Sequence, residues 1–226
     1  MKKAVRLITD ALMTVLLLCL MSYQVTGDVL HEWIGMGMTL LLIVHNILNA
    51  KWYASLFKGK YNAYRTVTVT VNILLLAAIF LTTLCGMSMS AYAVPFLYGM
   101  TNIIFARTAH LALSYWAFIL MGFHIGMHMP AMTRDIRLSK PWRTVLTALF
   151  SAAAAAGLWF FIRNGIAQYL LFRTHFAFFD YSKSAFAVFA ENAAVMFLFV
   201  FCGANTVRFI IASHKKKATD SITQDT

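Results

Sequence analysis

Charge is scarce in this chain of 226 residues: only 12% of positions are charged, against about a quarter in an ordinary soluble domain. Acidic side chains are scarcer still, with 8 Asp and Glu beside 19 Lys and Arg. With 61% hydrophobic residues, that composition excludes a soluble fold and points to an integral membrane protein. Cysteine is nearly missing. Cys19, Cys85 and Cys202 stand singly in three apolar runs, which excludes both a disulfide framework and a C-x-x-C-H haem attachment site. Long linkers and low-complexity tracts are lacking as well. No small-residue cleavage pattern follows the N-terminal run MKKAVRLITDALMTVLLLCLM, which reads as an uncleaved first span.

What the chain does have is apolar length. A helix needs roughly 20 mostly apolar residues to cross a bilayer, and its backbone polar groups must all be satisfied internally. Six runs meet this, approximately Leu7 to Tyr23, Val29 to Ala50, Val67 to Ser88, Ala109 to Met129, Val145 to Ile162 and Ala185 to Ala212. The expected fold is an all-α polytopic bundle of about six transmembrane helices. Residues 1–130 would form a four-helix core, and residues 131–226 would add two helices, an outer aromatic loop and a cytoplasmic tail. The tail from Lys215 to Thr226 is expected to lack structure.

Basic residues orient the bundle, because Lys and Arg are retained on the cytoplasmic side. With the N-terminus inside, fifteen of the nineteen fall in cytoplasmic segments, leaving only Arg107, Arg163, Arg173 and Lys183 outside. Both termini are therefore expected in the cytoplasm. The net charge of +11 follows from topology, and no basic stripe on a soluble fold supports nucleic-acid binding. Segments 91–107 and 164–184, the second rich in Phe and Tyr, are expected at the outer lipid interface.

Into this apolar background the sequence sets HEWIGMGMTLLLIVH at residues 31–45 and HLALSYWAFILMGFH at 110–124. Each has two histidines fourteen residues apart. At about 1.5 Å and about 100° per residue, that interval is roughly 21 Å and nearly four whole turns, so each pair shares one helix face at two depths. The second and fourth spans run in the same direction. His31 and His110 thus share an outer level, and His45 and His124 an inner one. Two facing imidazole pairs suit two haems, each taking one axial nitrogen from each helix, and bis-histidine ligation leaves the iron to exchange single electrons. A zinc site would need its ligands converging at one depth.

Small and basic residues nearby are candidate cofactor contacts. Gly35 follows His31 by one turn, Gly122 and Gly126 flank His124, and Ala117 lies halfway between His110 and His124. In each case ordinary helix packing is the competing explanation. Arg107 is the best outer partner for a haem propionate, with Lys51, Arg65 and Arg134 as inner candidates. The competing explanation there is topology and snorkelling. His128, one turn past His124, could replace it as ligand or line a quinone pocket. His175 and His214 read as surface residues. Glu191 and Asn192 suit either proton or quinone chemistry, or simple pairing with an outer basic group.

HEWIGMGMTLLLIVHNILNAKWY and HLALSYWAFILMGFHIGMHM resemble the flavinylation-associated membrane cytochrome family, a bacterial group, over residues 5–130. The likeness rests on H-E-W-I-G, on the interval from His45 to Trp52, and on the S-Y-W to H-x-G-x-H run from Ser114 to His128. It implies two b-type haems, residence in the bacterial cytoplasmic membrane, and electron exchange with an extracytoplasmic flavin-bearing or other redox protein. Similarity to the cytochrome b subunits of formate dehydrogenase and hydrogenase is looser and rests on the bis-histidine bundle. The expected function is transmembrane electron transfer between the quinone pool or a cytoplasmic donor and that outer partner, with quinone as a candidate second cofactor. The alternative is a haem-handling or proton-linked transporter using the histidines as transient ligands. That class carries internal repeats with broken helices.

Overall fold

Away from water a helix satisfies its backbone within the segment, so each apolar run is driven to the same local answer. A computed structural model describes residues 2–133 and 139–224, and side chains within 4–131, 133 and 139–213. In chain order the helices are α1 (Lys2–Met21), α2 (Tyr23–Leu48), α3 (Ala50–Ser55), α4 (Ala63–Met87), α5 (Ile103–Met132), α6 (Lys140–Arg163), α7 (Ile166–Leu170) and α8 (Ala185–Gln224). All but the short α3 and α7 contain a stretch long and apolar enough to cross a membrane. The chain is an all-α, multi-pass bundle with no strand among the described residues.

Helix ends depart from the hydropathy boundaries because caps, not apolarity, set them. Asn102 accepts hydrogen bonds from the Ile104 and Phe105 N–H groups and starts α5 six residues before Ala109. Asn62 does the same for α4 through the Arg65 N–H. The tail expected to lack structure is a correction: α8 runs on to Gln224. Lys215 to Gln224 contains no Pro or Gly to stop a helix already formed.

α5 is the central element, packed along one side by α8 and along another by α4, while α6 closes on α8. Small residues let these backbones meet. A Cβ added at Gly126 would lie 2.1 Å from the Val200 carbonyl oxygen, one at Gly157 2.1 Å from that of Ala194, and one at Gly203 2.3 Å from that of Phe123. α1 and α2 form a second pair. α2 buries only Met38 and touches α4 lightly.

The two ends of the bundle differ chemically. The basic end carries Lys51, Lys58, Lys60, Arg65 and Arg143, and there Arg6 of α1 donates to the Leu48 carbonyl at the end of α2, at 2.6 Å. The opposite, aromatic end carries exposed Phe96, Tyr98, Phe176, Phe178 and Tyr181. Not all of its aromatics are superficial: Tyr169 is buried, stacked on Tyr115 at 4.7 Å. At this end the Ser182 hydroxyl and N–H hold the exposed Asp180 carboxyl below its ordinary range. The α1–α2 turn is fastened by α8, whose Asn192 amide donates to the Met21 carbonyl and the Ser22 hydroxyl. Gly27, at φ 65°, supplies the left-handed step that kinks the start of α2.

Candidate functional site

Beyond the kink, α2 is regular from Asp28 to Leu48, and α5 is continuous from His110 through His124. His31 and His45 on one helix, and His110 and His124 on the other, therefore lie about 21 Å apart. Toward the aromatic end, His31 and His110 face each other across the bundle, with ring centroids 6.1 Å apart and planes at 73°. Both are half-buried. A metal held between two imidazoles, with bonds of about 2 Å each as at zinc, needs nitrogens about 4 Å apart, and this ring separation accommodates that span.

The other nitrogen of each ring decides which tautomer can act. His110 Nδ1 lies 2.9 Å from the Thr82 carbonyl oxygen, which can only accept, so Nδ1 carries the proton and Nε2 keeps its lone pair. His31 Nδ1 is buried without a hydrogen-bond partner, against the edge of Tyr23 at 5.1 Å and near the Leu20 carbonyl. Gly86 of α4 makes the His110 position possible, since a Cβ there would sit 3.1 Å from the ring.

Toward the basic end, His45, His124 and His128 gather with Asp10 of α1. His45 Nδ1 donates to the Asp10 carboxylate at 2.8 Å, and His124 Nδ1 donates to the Asn72 amide oxygen of α4 at 2.8 Å. Both rings thereby keep a lone pair on Nε2. At His45 that Nε2 accepts from one N–H of the Asn49 amide at 3.4 Å, while the other N–H donates to the His45 carbonyl at 2.8 Å. His124 lies within electrostatic range of His45, and its ring centroid is 4.7 Å from that of His128. The level expected to hold two histidines holds three.

Between the two levels, α2 and α4 line an apolar cleft of about 240 Å³ formed by Thr39, Leu42, Ile43, Phe80, Thr83, Leu84 and Met87. Ala117, which lies between the histidines of α5, is buried. Among the described residues, no group of three or more His, Cys, Asp or Glu side chains converges to hold a bare metal ion. A haem asks the protein for only two axial donors.

Several neighbours expected beside a cofactor are placed otherwise. A Cβ at Gly122 would meet the Met196 carbonyl and Phe199 at 3.0 Å, and Gly126 abuts Val200, so both glycines serve the α8 contact. Two residues from His124 is about 200° of helix rotation, which turns them to the opposite face. Gly35 faces Leu20 of α1 at 3.9 Å. Arg107 is exposed and makes no ion pair among the described residues, though it lies within electrostatic range of Tyr23, the edge partner of His31. Arg65 is committed to its own turn, donating to the Ser55 carbonyl at 2.6 Å and covering the Tyr61 ring at 4.2 Å. Lys51 is exposed, and Arg134 lies outside the described residues. His175 is exposed and pairs with Thr108, while the side chain of His214 lies outside the described residues. Glu191 pairs with Lys183 at 2.8 Å and accepts from Asn164.

Residues passed over in the sequence include Glu32, beside His31. Its carboxylate accepts from the Ser90 hydroxyl and from the N–H groups of Ala91, Tyr92 and Ala93, at 2.7 to 3.0 Å. It ties the 90–94 loop to α2. Comparison with models of known protein families, with curated proteins and with solved structures gives no match.

Proposed function

We propose that the chain is a dihaem b-type cytochrome moving electrons across the bacterial cytoplasmic membrane. The observation that carries this reading is the His31–His110 pair: two imidazoles from different helices, half-buried, 6.1 Å apart, with the Nε2 of His110 freed by its Thr82 contact. A bis-imidazole haem, when bound, exchanges single electrons and offers no open position to substrate.

His31 and His110 would hold one such group, and His45 with His124 the other. Asp10, Asn72 and the Thr82 carbonyl fix ring orientation, an outer-shell role that metal-binding histidines generally require. Arg107, at the aromatic end, free of ion pairs among the described residues and within electrostatic range of the His31 neighbour Tyr23, is a basic residue available to a propionate there. The function that follows is electron passage between quinone or a cytoplasmic donor at the basic end and an extracytoplasmic redox protein, flavin-bearing in the resembled family, at the aromatic end. Both termini then lie in the cytoplasm, as the charge distribution supports.

The test is the reduced-minus-oxidised spectrum and haem stoichiometry of protein produced with haem supplied. About two b-type haems per chain are expected, with one lost in His31→Ala and one in His45→Ala. No bound haem, or a stoichiometry indifferent to both changes, would overturn the reading and favour the transporter alternative.

A further inference from the structure

The two histidine levels differ in what stands behind the rings. At the aromatic end, His110 is backed by a neutral carbonyl, and His31 Nδ1 has no carboxylate hydrogen-bonded to it, Asp28 and Glu32 lying within electrostatic range only. At the basic end, His124 is backed by a neutral amide, but His45 is backed by a carboxylate, Asp10, at 2.8 Å. Arg6, the one basic side chain of α1 beyond its first two residues, donates to the Leu48 carbonyl at 2.6 Å. No Lys or Arg pairs with Asp10 among the described residues, where Lys183 with Glu191 is the one such pair.

A carboxylate accepting the Nδ1–H of a metal-binding imidazole raises that ligand's basicity, and a more basic, more anionic ligand favours ferric over ferrous iron. Resting on the dihaem reading above, we infer that Asp10 makes the basic-end site the lower-potential site of the two. Asp10 is then a positioning and tuning residue acting through His45. The consequence is a built-in direction. One electron given up at the basic-end site is the electron gained at the aromatic-end site, with no proton exchanged between them, and the downhill sense runs from basic end to aromatic end.

Redox titration of the haem-loaded full chain tests this. In Asp10→Asn, which keeps an oxygen acceptor but removes the charge, the lower midpoint should rise by at least the equivalent of a tenfold change, about 59 mV for one electron. The upper midpoint should stay in place. In Asn72→Asp, which sets a second carboxylate behind His124, the lower midpoint should fall. A merely structural role for either residue would not move one potential in opposite senses. His45→Ala, which removes the basic-end ligand, should abolish the lower-potential component and so assign it. Two haems bound with both midpoints unmoved in Asp10→Asn, or with the upper one shifted instead, would overturn the tuning role while leaving the cytochrome reading intact. Absence of haem from the unmodified chain would overturn both.

Discussion

The face that α5 turns to α8 and the face that it turns to the histidines of α2 are built on opposite principles. Toward α8, helices meet backbone to backbone, through glycines that leave 2.1 to 2.3 Å to where a Cβ would stand. Toward α2 there is no such backbone contact, and imidazole rings occupy the gap, those of His45, His110 and His124 oriented by α1 and α4. In lipid, burying apolar surface gives little drive for helices to associate, so close van der Waals packing must supply it. The α5–α6–α8 seam is therefore the stabilising part. The histidine face is free to be shaped by chemistry instead.

The largest effect should come from closing the seam's clearance. Gly126→Val puts a branched side chain against the Val200 backbone, which cannot swing aside, and overpacking of this kind costs about 3 kcal/mol or more. Unfolding in detergent should show most of the chain's stability lost, and a variant as stable as the parent would break the comparison. Next comes Gly86→Ala, on the other face. Its new methyl presses on the His110 ring, so one haem of two should be lost while unfolding changes by only about 1 kcal/mol. Loss of both haems would mean that the two levels are not independent.

A smaller and local effect is expected from Glu32→Ala. Without the carboxylate, the amides of Ala91, Tyr92 and Ala93 should exchange hydrogen at least about tenfold faster, with the rest of the bundle unchanged. Unaltered exchange at those three positions would mean the loop is held by something else. The smallest should be Gly35→Ala. With its nearest neighbour 3.9 Å away, the added methyl should raise stability by up to about 1 kcal/mol through helix propensity alone. A loss there would place Gly35 in the seam's class.

How much of this was legible beforehand follows from the range over which each signal acts. The six spans depend on local apolarity, and all six are present. The His31–His110 encounter follows from a fourteen-residue interval on two helices, a pattern that helix geometry carries over distance. What sets the rings could not be read. Thr82, Asn72, Asp10 and Gly86 lie 24 to 52 residues from the histidines they serve, on helices whose relative rotation no local pattern fixes. Gly122 and Gly126 adjoin His124 in sequence, but helical phase turns both toward α8. Glu32 was overlooked since its partners are mostly backbone N–H groups, which no side-chain motif announces.

Glu32 also bears on how the molecule meets the outside. The loop it grips ends among exposed Phe96 and Tyr98, and its own peptide bond is shared with His31. Displacing that loop therefore means breaking four hydrogen bonds to one carboxylate, on the residue next to a half-buried ring.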